Sequence, residues 1–194
     1  MNLKSETSRD VRPRRSWIGL VLGAFLVISV AVNLFLAWRS VQLTRALDRT
    51  KTEAQLEIGA AVPPIQARGM DGRIAYISYQ KSDVPTVLYF FSPGCDTCER
   101  NVDNIKKLAD QKRGEYKIIG LSLTEGDLEG YTRDHGLNFP VYAGLGVETT
   151  LAYKLGRVPQ TTVVSADGRV LANWHGAFEG RLLPTVTSFF QAGF

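Results

Sequence analysis

The sequence predicts an α/β domain, a central sheet flanked by helices, preceded by one apolar helix. Three observations carry this reading. Residues 17–38 run for 22 positions without a charged side chain. From about residue 58 onward, β-rich runs alternate with helix-like runs, the pattern of a sheet covered by helices. The two cysteines of the chain, Cys95 and Cys98, stand where the strongest strand signal passes into a helix.

Taken in order, the apolar stretch WIGLVLGAFLVISVAVNLFLAW has Ser29 and Asn33 as its most polar side chains. At 1.5 Å per residue it spans roughly 33 Å, about the thickness of the bilayer's hydrocarbon core. Trp17 and Trp38 bracket it as interfacial aromatics do. A cleaved signal peptide would have a shorter apolar region followed by a small-residue cleavage site, and none stands near Trp38. The expectation is therefore a transmembrane anchor over 17–38. Five basic residues precede the span and four follow by residue 51. The tight cluster Arg12, Arg14, Arg15 favours a basic tail at 1–16 on the cytoplasmic side.

Residues 39–57 are polar, rich in helix formers and free of Pro and Gly. Leu36, Leu43, Leu47 and Ala54 fall near heptad spacing. Fewer than three heptads favour a helical juxtamembrane spacer over a dimeric coiled coil.

The domain is expected over 58–194. Residues 86–91, TVLYFF, read as a buried central strand. Ser92-Pro93-Gly94 is a turn. A helix follows over about 96–113, with Val102, Ile105, Leu108 and Ala109 on one face. Residues 116–123 form the next strand. Residues 127–135 form a short helix that Gly136 ends, and 149–155 another. Strands at 161–165 and 169–174 meet at Asp167-Gly168, a tight hairpin signal. An amphipathic helix over 182–191 closes the chain.

Charge narrows the class of partner. Residues 1–58 hold nine Lys+Arg and five Asp+Glu, the whole net charge of +4, while 59–194 hold fourteen of each. The basic character belongs to the N-terminal arm, so nothing in the domain points to nucleic acid. Two cysteines are too few for a disulfide scaffold.

The chemistry is concentrated in Cys95-Asp96-Thr97-Cys98. The first cysteine falls at a helix N-terminus, where free backbone N–H groups and the helix dipole favour a thiolate, the nucleophilic form. Cys98 lies one turn along the same face, where it can close a disulfide with Cys95 and resolve a mixed disulfide. The charge of Asp96 opposes a thiolate beside it, which leans the pair toward the reducing direction.

In these residues the chain resembles the membrane-anchored TlpA/ResA-type thiol–disulfide proteins of the redoxin group, which have the thioredoxin-like fold. The likeness covers roughly 58–192. It rests on Ile58-Gly59 to Val62-Pro63 with the Asp71-Gly72 hairpin, on Val87 to Phe91 leading into the cysteine pair, and on Arg157-Val158-Pro159-Gln160-Thr161 followed by Asp167-Gly168. The resemblance implies a central mixed sheet, a cis Pro159 against the cysteines, and thiol–disulfide oxidoreductase activity. Cys95 and Cys98 would be catalytic, and Val158, Pro159 and Gly94 would face the substrate, with the Val158 backbone offered to a bound peptide. It implies no cofactor beyond a redox-active Cys95–Cys98 disulfide. The partners would be protein or peptide thiols and disulfides, a membrane electron donor, and the bilayer through 17–38. The domain would lie outside the cytoplasm, periplasmic in a cell with an inner membrane, with roles such as cytochrome c maturation.

Three positions depart from that pattern. Gly94 replaces a tryptophan and leaves Cys95 more open. Tyr89 and Asn101 stand where relatives carry carboxylates that take the proton of the buried thiol. Glu99 is adjacent but points about 100° away from Cys98 on a helix, so a water or Tyr89 becomes the expected substitute.

Other readings use the same residues. Ser92, three before Cys95, matches part of a peroxidatic motif, with Arg157 as a positional candidate for polarising peroxide. A copper(I) site would draw on Cys95, Cys98 and His175, and a zinc site would need His135 as well. The bland expectation for both histidines is a cap or surface position. A client-holding module without turnover is the remaining alternative.

Overall fold

The computed structural model describes residues 15–53, 55–80 and 82–192, with side chains described at 20–42 and from 55 onward within those limits. Residues 1–14, most of the 1–16 basic tail on which the orientation reading rests, lie outside the described residues, as do the side chains of Trp17, Leu43 and Leu47 and all of Ala54, while Arg15 and Ser16, expected in that tail, are helical.

The chain divides into two compact units, 1–52 and 53–194. The described part of the first is helical throughout and belongs to α1 (Arg15–Glu53). Within it, Leu20–Gln42 is long and apolar enough to cross a membrane, and none of that stretch is covered by protein. Asn33 meets its polar demand locally, its side-chain amide donating to the Ser29 carbonyl at 2.8 Å. The stretches expected as anchor and spacer are thus one continuous helix, but it stops at Glu53 rather than 57. Leu56 is buried in the domain core, because an apolar side chain at that point gains more from the core than from a solvated helix.

The second unit contains β1 (Ile65–Gly69), β2 (Ile74–Ile77), β3 (Thr86–Phe91), α2 (Asp96–Gln111), β4 (Lys117–Ser122), α3 (Leu128–Asp134), β5 (Val141–Ala143), α4 (Val147–Ala152), β6 (Gln160–Val164), β7 (Val170–His175) and α5 (Leu182–Ala192). The seven strands form one mixed sheet in the order β2-β1-β5-β4-β3-β6-β7. β3 runs parallel to β4 and antiparallel to β6.

Every residue of β3 is buried, as its unbroken apolar run requires of a central strand. Successive side chains go to opposite faces. Val87, Tyr89 and Phe91 join α2, α3 and α5 in one core through Val102, Ile105, Tyr131, Val186 and Phe190. Leu88 and Phe90 join Ile65, Ile77, Tyr153 and Leu155 in the other.

Both D-G turns form hairpins: Asp71-Gly72 between β1 and β2, Asp167-Gly168 between β6 and β7. β1, β2 and β5 carry little sequence signal. β1 alternates buried with exposed positions that include Arg68, and β5 has three residues. The helix expected at 149–155 begins two residues earlier and ends at Ala152, with Lys154 at φ 50 closing it.

Candidate functional site

The turn after β3 sets the site. Gly94 has φ 74, the left-handed region open to glycine, and turns the chain sharply into α2. A Cβ there would meet nothing within 4 Å beyond its chain neighbours. Cys95 is the N-cap of α2. Its sulfur accepts the Cys98 N–H at 3.3 Å and its carbonyl accepts the Glu99 N–H at 3.0 Å. This puts the half-buried sulfur against the free amides of the helix start.

Cys98 follows one turn later and is fully buried. Both thiols are free, and their sulfurs lie 2.7 Å apart. Burial first, then the hydrogen bond with Cys95, pushes the Cys98 thiol up to about 12, with smaller upward effects from the charges of Cys95 and Glu99. At neutral pH Cys98 therefore holds its proton.

The third part comes from 63 residues away. Phe90 pairs with Gln160 across β3 and β6, so the end of β3 lies beside the loop that leads into β6. The Val158–Pro159 peptide in that loop is cis. The Cys95 thiol faces the Val158 carbonyl at 4.0 Å, and the Pro159 carbonyl is held by the Gly176 N–H at 2.8 Å. The structure thus brings Gly94, Cys95, Cys98 and Val158–Pro159 to one end of the sheet, beside the C-terminal end of β3.

The two positions without carboxylates are occupied structurally. The Tyr89 hydroxyl donates to the Cys98 carbonyl at 3.2 Å, and burial holds its proton on well above the ordinary range. It braces the helix start rather than accepting a proton, which corrects the expectation for Tyr89. Asn101 is fully buried, and its Oδ1 accepts the Phe178 N–H at 2.7 Å. That ties α2 to the segment before α5.

Two residues set aside on sequence grounds meet beside the site. His135 does cap α3, but its Nε2 also lies 3.0 Å from Glu99 Oε2. They are 36 positions apart, and no sequence pattern links them. His175 is half-buried beside Asn173 at 3.4 Å, its basicity lowered mainly by burial. Among the described residues no group of three or more His, Cys, Asp or Glu is arranged to hold a metal ion. The two histidines go to separate partners rather than to the cysteines. Ser92, the other peroxidatic candidate, contributes its carbonyl to the Cys95 N–H at 3.3 Å.

Comparison with known proteins agrees with this architecture. The thiol-disulfide oxidoreductase ResA of Oceanobacillus iheyensis is 26% identical over 119 residues, which is 58% of this chain and 62% of that protein. The methylamine utilization protein MauD of Methylophilus methylotrophus is 25% identical over 88 residues, 45% of this chain and 41% of that protein. The chain thus covers less than two thirds of either relative. The crystal structure of the thioredoxin domain of a thiol-disulfide oxidoreductase from Bacteroides vulgatus superposes with a TM-score of 0.58 at 19% identity, over 70% of this chain and 99% of that one. The fold is thioredoxin-like. The AhpC/TSA family model matches residues 58–173, a stretch that holds the turn, both cysteines and the Val158–Pro159 loop, and the chain belongs to the AhpC/TSA family.

Proposed function

We propose that this protein carries out thiol–disulfide exchange on protein substrates outside the cytoplasm, tethered by α1 and acting as a reductant. The observation that carries the reading is the placing of two free sulfurs 2.7 Å apart at a helix N-terminus, one half-buried and one buried, beside the Val158 carbonyl. Cys95 as thiolate attacks a substrate disulfide. A Cys95–substrate mixed disulfide forms and the first substrate thiolate leaves and takes a proton. Cys98 then loses its proton and attacks Cys95. The second substrate thiol leaves, and the protein holds a Cys95–Cys98 disulfide. Two electrons pass from the cysteine pair to the substrate, so a thiol donor must return them. For a domain outside the cytoplasm that donor is a membrane thiol carrier.

The Val158 and Pro159 edge and the open space at Gly94 form the docking surface for an extended peptide. The acidic residue Asp96 next to Cys95 supports the reducing direction. The tether rests on the length and apolarity of Leu20–Gln42.

The test uses the full chain in detergent. Cys98→Ser is expected to accumulate a mixed disulfide with a disulfide-containing peptide, Cys95→Ser to form none, and the unaltered chain to turn over. A reduction potential near or below about −220 mV marks a reductant, and one of about −120 to −180 mV reverses the direction. Absence of any mixed disulfide in Cys98→Ser overturns the reading.

A further inference from the structure

Gln160 and Thr162 are fully buried, on the face of β6 that also carries Val164. Val164 packs there in an apolar core with Leu88, Phe90 and Tyr153. An apolar side chain would fill the place of Gln160 without the desolvation that a buried amide costs. The amide is held by its nitrogen instead. Gln160 Nε2 faces the Tyr153 carbonyl at 3.0 Å, Asn173 Oδ1 at 3.2 Å and Thr162 Oγ1 at 3.3 Å. Its Oε1 is buried without a partner, so the donating end alone fixes the side chain.

These contacts fasten one loop. Tyr153 closes α4, and Gln160 follows Pro159 directly. The bond from Gln160 to Tyr153 therefore joins the two ends of the stretch 154–159, which brings the Val158 carbonyl to Cys95. Tyr153 is itself fixed. Its hydroxyl donates to the Pro63 carbonyl at 2.6 Å, and its ring centroid is 5.5 Å from that of Phe90. From β7, Asn173 Oδ1 takes Gln160 Nε2 and also the Thr162 hydroxyl, which donates at 2.8 Å. Exchanging the oxygen and nitrogen of Asn173 would lose both bonds, so its Nδ2 is the end that faces His175 Nε2 at 3.4 Å. The residue after His175 is Gly176, whose N–H holds the Pro159 carbonyl at 2.8 Å. Strand β7 thus grips the loop twice, once through its backbone and once through the Gln160 side chain.

We propose that Gln160 is a positioning residue for the exchange reaction, latching the 154–159 loop at its base so that the Val158 backbone stands ready beside Cys95 before an extended peptide arrives. Thr162 and Asn173 hold the latch. This rests on the exchange reading above. A peptide that pairs with an edge already ordered loses less freedom on binding than one that must order the edge as it docks. A small disulfide reaches Cys95 without pairing to Val158 and draws no benefit from the latch. Gln160 therefore bears on which disulfides the site takes, favouring extended peptides over small molecules. It acts through the loop and not at the sulfurs.

The test gives the reduced full chain in detergent two probes, a peptide with one internal disulfide and the aromatic disulfide of thionitrobenzoate, and compares the rate constants for their reduction. In Gln160→Leu the ratio of peptide to aromatic rate constants is expected to fall at least about fivefold, because the edge must be ordered at each docking. Thr162→Val, which removes the hydroxyl that meets Asn173 and Gln160, is expected to lower the ratio as well, and Thr162→Ser to keep it. Cooperative thermal unfolding shows which variants are folded, and the Thr162 pair carries the test if Gln160→Leu is not. A role confined to stability would lower the melting temperature and leave the ratio where it was. An unaltered ratio in folded Gln160→Leu or in Thr162→Val, or an equal fall in Thr162→Val and Thr162→Ser, overturns the latch and leaves the exchange reading standing. No reduction of either probe by the unaltered chain overturns the exchange reading, and the latch with it.

Discussion

The Cys95 thiol faces the Val158 carbonyl at 4.0 Å, joining two segments 63 residues apart in the chain. The contact depends on the antiparallel register of β3 with β6, which sets Phe90 opposite Gln160 and so fixes where each strand's loop emerges.

Gly94 tests the turn that aims Cys95. Its φ of 74 is strained for any residue with a side chain, while a Cβ there meets nothing. Gly94→Ala is expected to cost about 1 kcal/mol through backbone strain alone. Thermal unfolding should show a drop of a few degrees, with the thiol count unchanged.

The raised Cys98 thiol has a consequence for stability. Its ordinary value of 9.0 in the unfolded chain rises to about 12 in the fold. Between the two the unfolded state binds fewer protons, so stability falls as pH rises. The contribution is fully present below about 9 and is lost as pH climbs toward 12. Denaturant titrations of the reduced chain across this range should show a steeper decline than those of Cys98→Ala.

Asn101 holds the Phe178 N–H at 2.7 Å inside the core. Asn101→Ala leaves that amide without its acceptor and is expected to destabilise the domain by about 1–3 kcal/mol. Denaturant unfolding at neutral pH reads it directly. The Cys95 reaction with a disulfide reagent should persist in the fraction that remains folded.

Orientation is tested by labelling. Glu57 is exposed where the domain begins. In a chain lacking Cys95 and Cys98, a cysteine introduced as Glu57→Cys should react with a membrane-impermeant maleimide in intact cells. Reaction only after lysis places the domain in the cytoplasm and removes the extracytoplasmic part of the proposal.

The sequence by itself determined the apolar span, the central strand 86–91, the turn before Cys95, and the cysteine pair one helical turn apart. These are local: periodicity, a glycine-bearing turn and the spacing of two residues on one helix face specify them without the rest of the chain. The short strands β1, β2 and β5 carried no such signal, because their formation depends on the neighbours they pair with. Only the tertiary structure decided that Leu56 belongs to the core and that Asn101 spends its oxygen on Phe178. It also decided that Glu99, turned from Cys98 on its own helix, meets His135 from the end of α3. Those partners lie on different elements. The packing of α2, α3 and α5 on one face of β3 brings them together, and no spacing along the chain records it.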